Sequence, residues 1–411
     1  MQIRSVLTGS LGFLILGIGA WQIFNPQAAT SANTQLSQEV AVLRPQGQKG
    51  LQKFLQTHSK KLNQADIRTA LDQLCQQRDC YASRLYWYTN LEEAKAAAKA
   101  SGKPILSLRL LGNLDQDLSC ANSRFFRVAL YPNAEIAKTL QDKFILHWQS
   151  VRPVPKVTID FGDGRKLERT LTGNSIHYIL DSSGRPIDAI PGLYSPQAFL
   201  QQLQQGANTV KAYSQVGGKE KEGFLRKYHS DRLNTLQAKW TKDLNQAGIN
   251  VAPRFSTNNS NNPAPSATVA APIAMTKMLV EAPLLTNIQS SPELTDGATW
   301  QRIAQLHRQN SKLDSQSLAL IKAKKYTSTN ANFDKLIQQF ESTMALDTVR
   351  NEYILHRRIH QWFAAGQGTS NLDGLNEQVY SQLFLTPSSD PWLGLNPEEN
   401  YSAIEHDGII K

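Results

Sequence analysis

Between residues 85 and 206 the apolar positions alternate between short runs with a strand's spacing and longer stretches with a helix's period. Leu85-Tyr86-Trp87-Tyr88 reads as a strand, rich in residues that favour a pleated, half-buried surface. Asn90 then caps an Ala-rich helix, Leu91-Glu92-Glu93-Ala94-Lys95-Ala96, which Gly102 and Pro104 end. A strand at Ile105-Leu106-Ser107-Leu108, a helix opening at Cys120 and a second helical run over 134–140 follow, before the apolar strand Phe144-Ile145-Leu146-His147-Trp148. Residues 156–161 and 166–170 flank Gly162-Asp163-Gly164-Arg165, a hairpin with Asp-Gly in its turn. A strand over 176–180, a turn at Asp181-Ser182-Ser183-Gly184 and a strand over 186–190 come next. Ser195-Pro196 opens a helix over 197–203, since proline suits the first helical position. A β-α-β run followed by β-turn-β-α describes an α/β fold with a mixed sheet flanked by helices.

The flanks read differently. After a short polar spacer, residues 40–80 carry two small helices, over 50–55 and 67–74. Residues 220–243 form a polar, charged helix. Residues 254–266 have the Asn, Ser and Pro content of a linker, with almost nothing to bury. The remainder is mainly helical, its clearest helix running from 332 to 363 ahead of Gly366. The expected division is a leader (1–32), a helical N-terminal extension (36–84), the α/β domain (85–206), a helical connector (207–252), a flexible linker (253–272) and a mainly helical C-terminal domain (273–411).

Composition narrows the partners. The 411 residues carry a net charge of +10, but Lys and Arg are scattered, with no basic stripe interleaved with aromatics, so nucleic acid is not expected. No phosphate-binding glycine loop or other cofactor motif is present, and no cofactor is expected. Arg4 precedes an uncharged stretch over residues 5–24, followed by small residues at Ala28, Ala29 and Ala32. This is a signal peptide or an uncleaved membrane anchor, and it predicts export to the periplasm or beyond. Export permits disulfides. Three cysteines leave one unpaired: a local Cys75–Cys80 bridge would free Cys120, while the alternative pairs Cys120 with one of the two.

The candidate chemistry begins at Cys120-Ala121-Asn122-Ser123. A thiol opening a helix meets unpaired N–H groups and the positive end of the helix dipole, which favour the thiolate. In a Cys-x-x-Cys pair the second thiol resolves a mixed disulfide; Ser123 cannot. Together with Gly102-Lys103-Pro104 before the strand, Leu180-Asp181-Ser182-Ser183-Gly184 in the later hairpin and Pro191-Gly192 leading into the last helix, the segment over 85–204 resembles exported bacterial members of the thioredoxin-fold superfamily. The resemblance implies a thioredoxin-like sheet, and it places Asn174, Ser175 and His177 across from Cys120. The chain departs from the family pattern at Ser123, at Ser175 where a cis-proline is expected, and in its long loop over 110–119.

A second constellation is Glu352, His356 and His360, whose spacing of four puts them on one helix face. Two imidazoles and a carboxylate suit a divalent metal ion, although Arg357 and Arg358 stand beside them and the only downstream candidates are Glu405, His406 and Asp407. The apolar run over 383–395, with two prolines and Trp392, reads as a cap on the helical core or as a peptide-docking surface. Three functions follow: a non-standard thiol-redox or thiol-dependent binding role centred on Cys120, a catalytically inactive interaction module with a protein partner in the cell envelope, or a metal-binding helical domain.

Overall fold

The computed structural model describes residues 26–170, 173–249, 297–325, 330–367 and 371–392. The leader over 5–24, the linker over 253–272 and the acidic-histidine run at Glu405, His406 and Asp407 lie outside them. Among the described residues no helix is long and apolar enough to cross a membrane.

A four-stranded mixed sheet forms the centre, in the order β2-β1-β5-β6. Strand β1 (Ile105–Leu111) runs parallel to β2 (Ile145–Arg152), from Ile105 opposite Ile145 onward. On its other side β1 pairs antiparallel with β5 (Ser175–Leu180), which pairs antiparallel with β6 (Pro186–Pro191). All residues of β1, β5 and β6 are buried, as expected of strands covered on both faces. Strands β3 (Lys156–Asp160) and β4 (Lys166–Thr170) form a separate two-stranded hairpin, mostly exposed, that carries Ile159 and, just beyond β3, Phe161 to solvent. The strand expected over 85–88 is not one: only Tyr88 bridges to His147, and Leu85, Tyr86 and Trp87 are spent on the core instead.

The helices follow their signals. In α5 (Leu91–Ser101) the Asn90 side chain accepts from the N–H groups of Glu92 and Glu93, and Gly102 closes the helix at φ 71°. The chain ahead of it holds more helix than its spacing suggests: α1 (Pro26–Leu43) replaces the polar spacer, and α2 (Gln48–Thr57), α3 (Ala65–Cys75) and the short α4 (Cys80–Ser83) follow. These build a small core of their own around Leu51, Phe54, Leu71 and Leu74, and Cys75 and Cys80 are joined there by a disulfide. After β1 come α6 (Ala121–Phe125), a π-helical turn over Phe126–Leu130 and α7 (Ala134–Lys143).

Beyond the sheet run α8 (Pro196–Ser214), α9 (Lys221–Gln246), α10 (Gly297–Leu306), α11 (Ser315–Lys324) and α12 (Asn330–Arg350). A π-helical turn over Asn351–His356 carries α12 straight into α13 (Arg357–Ala364), and α14 (Leu372–Gln382) comes last. The main hydrophobic core is continuous from Ile105 and Tyr178 in the sheet to Phe363, Leu375 and Phe384 in the C-terminal helices. Polar bonds tie the same boundary: Arg109 to Asp373 at 3.3 Å, Tyr178 Oη to Asn376 at 3.2 Å, and the Ser195 N–H to Thr348 Oγ1 at 2.7 Å.

Candidate functional site

Cys120 stands at the N-cap of α6, is fully buried, and belongs to the main core with Tyr131 and Tyr380. Ser123 is turned inward, its Oγ 2.7 Å from Ser119 Oγ and 2.9 Å from the Cys120 carbonyl oxygen. Around it Arg127 donates to Ser119 Oγ, and Arg124 to Thr170 Oγ1. The residues expected opposite the thiol are covered by the chain itself. Asn174 Nδ2 donates to Thr386 Oγ1 at 2.9 Å, and the Asn174 carbonyl accepts from Tyr380 Oη at 3.3 Å. Ser175 is buried, its carbonyl accepting from the Gly192 N–H. His177 lies in the core against Phe126 and Phe199, with Nε2 2.8 Å from Tyr131 Oη. Burial lowers its pKa to about 3, so it stays neutral. All five of these side chains are buried.

The second constellation is where charge converges. Glu352 and His356 sit on the π-helical turn and His360 one turn later, all buried. A π turn widens a helix by one residue and is often found at functional positions. Here it sets these side chains against β6 and α9, which supply two partners that the sequence reading missed: Asp188 and His229. His356 bridges the two carboxylates, Nε2 3.3 Å from Asp188 Oδ1 and Nδ1 3.2 Å from Glu352 Oε2. Its ring stacks on that of His360, centroids 4.1 Å apart. His229 Nε2 is 3.0 Å from the Ile187 carbonyl, and its Nδ1 is 2.8 Å from His360 Nδ1.

The perimeter is polar and closed. Tyr228 donates to Asp188 Oδ2 at 2.6 Å, Gln202 Nε2 donates to both oxygens of Glu352 at 3.0 Å, and Arg232 holds the Gln202 oxygen.

Burial sets the protonation of this cluster, and the neighbours decide its sign. Burial alone would raise the Asp188 carboxyl, but the surrounding imidazoles, with the hydrogen bond from His356, hold it well below the ordinary carboxylate range. Glu352 follows the same balance and falls to about 2. Burial opposes a charge on His356, yet its bonds to Asp188 and Glu352 raise it to about 9. His229 and His360 are lowered by burial and remain neutral. The charge pattern is therefore a buried carboxylate–imidazolium–carboxylate row, with two neutral imidazoles at its Asp188 end.

Asp188, His229 and His360 can each turn a ligand atom to one point: those atoms all lie within 4.8 Å of one another. Asp188 had a legible signal, a lone acid in the apolar strand Pro186-Ile187-Asp188-Ala189-Ile190. The signal for His229 was fainter: it falls on the buried stripe Leu225, His229, Leu236, Trp240 of an otherwise polar helix.

Comparison with protein-family models, with curated proteins and with solved structures finds no match to this chain.

Proposed function

We propose that this chain is a catalytically inactive interaction module of the cell envelope, built on a thioredoxin-like α/β unit closed over by its own C-terminal helices. The observation that carries the reading is the complete burial of Cys120, with the Asn174–Ser175 segment held under Tyr380 and Thr386. A thiol that exchanges with a partner must be reached by that partner's sulfur, and a buried cysteine acts as a small apolar side chain. The β-α-β and β-β-α order of the sheet supports a thioredoxin-like unit, and the uncharged stretch over 5–24 supports export.

Among the described residues, the β3–β4 hairpin offers a surface for a partner. Ile159 and Phe161 are 42% and 54% exposed there, amid Lys156, Arg165 and Lys166. Exposed apolar side chains rimmed by charge are a common composition for a contact with another protein.

Alkylation of the native protein tests the reading. Cys120 is expected to react at least about a hundredfold more slowly than the free thiol of the unfolded chain, and the protein to show no disulfide turnover. Alkylation at the unfolded rate, or a mixed disulfide trapped on Cys120, would restore the thiol-dependent role.

A further inference from the structure

We propose that Asp188, His229 and His360 form a binding site for one divalent transition-metal ion, at the seam between the sheet and the helical region. The ligands come from three separate elements: β6, α9 and α13. This differs from the one-helix set of Glu352, His356 and His360 that the spacing suggests.

The tautomer of His229 is already arranged. The Ile187 carbonyl can only accept, so His229 carries its proton on Nε2 and presents the bare Nδ1 inward. Fixing one imidazole nitrogen on a backbone carbonyl to free the other is the usual way proteins orient a metal-binding histidine. His360 Nδ1 lies 2.8 Å from that nitrogen and 4.0 Å from Asp188 Oδ1. One ion at about 2.0–2.2 Å from each ligand spans both separations, at a narrow and a wide angle. Asp188 is itself held in place, its Oδ2 accepting from Tyr228 and its Oδ1 from the Ala189 N–H. Among the described residues, His360 Nε2, fully buried, has no hydrogen-bond partner. An ion on Nδ1 takes the place of the proton that His360 donates to His229, and the ring proton moves to Nε2, the tautomer a metal ligand requires.

Imidazole nitrogen with carboxylate oxygen and no thiolate suits Zn(II), Co(II) or a similar borderline ion better than Mg(II) or Ca(II). Glu352 and His356 stand behind Asp188 and position it. With all three ligands buried, the ion enters as the helical region docks on the sheet.

The test uses the full chain, refolded from denaturant with Zn(II) or with a chelator, then gel-filtered and assayed for metal content. About one zinc per folded chain is expected, with about one Co(II) taken up in its place. Asp188→Asn, His229→Ala and His360→Ala should abolish stoichiometric uptake, Cys120→Ser should retain it, and Glu352→Gln should weaken it by about 10- to 100-fold. Where a variant does not fold, X-ray absorption on zinc-loaded wild type decides: nitrogen and oxygen neighbours support the site, and sulfur at about 2.3 Å overturns it. Folded wild type without stoichiometric zinc, or uptake unchanged in folded His229→Ala, also overturns it.

Discussion

At the residue scale, the histidines show how one side chain serves opposite ends. His147 and His177 are buried in the sheet, and burial lowers both to about 3. The unfolded chain takes a proton on each near pH 6.5, while the folded chain refuses it until about pH 3. Their contribution is therefore complete above pH 6.5 and is lost as pH falls through that window. At pH 5 each costs about 2 kcal/mol. His177→Gln should flatten the pH dependence of urea unfolding between pH 6.5 and 5 by about that amount, and an unchanged slope would show that His177 titrates in the fold. The charge on His356, by contrast, comes from Glu352 on its own helix and from Asp188 on β6, and the second of these no reading of residues 351–363 alone could supply.

At the element scale, local rules worked where a segment's own residues decide its structure. The Asn90 cap, the Asp-Gly hairpin and the proline at the start of α8 were legible because each is satisfied within a few residues. The strand expected over 85–88 failed because tertiary demand overrode β preference. Trp87 Nε1 donates to Gln77 Oε1 at 2.7 Å and the Tyr86 hydroxyl to the Arg44 carbonyl at 2.8 Å, which hold the segment against the N-terminal helices. That small N-terminal core also gives the disulfide its work. Cys75 and Cys80 are five residues apart and close a short loop, for which chain entropy gives about 2 kcal/mol. The Cys75→Ala, Cys80→Ala protein should lose roughly that much stability in denaturant titration. A loss confined to α1–α4, seen by hydrogen exchange, would show that this core unfolds separately.

At the scale of the whole molecule, composition located the helical C-terminal region but not its role as a cover for the sheet. Amphipathic spacing tells that a helix has a buried face; it does not tell which distant surface that face meets. Leu375 is fully buried in the core shared with the sheet. Leu375→Ala is expected to cost about 3 kcal/mol and to raise the alkylation rate of Cys120, as local opening of α14 bares the sheet. Equal loss of stability with Cys120 still protected would mean that the thiol is shielded by α6 and its own loop.

The row of charges from Asp188 to Glu352 also sets a timetable. Asp188 and His356 are 168 residues apart. At about 5–20 residues per second, synthesis leaves the strand carrying Asp188 without its partner for roughly 8–34 seconds. During that interval β6 holds an acid in an apolar strand with nothing opposite to neutralise it, so the sheet can assemble only loosely, its apolar face open to other chains. Ribosome-bound intermediates that end before residue 356 should depend on a chaperone, and that dependence should weaken once His356 has emerged and end only with α14, which completes the cover of the sheet.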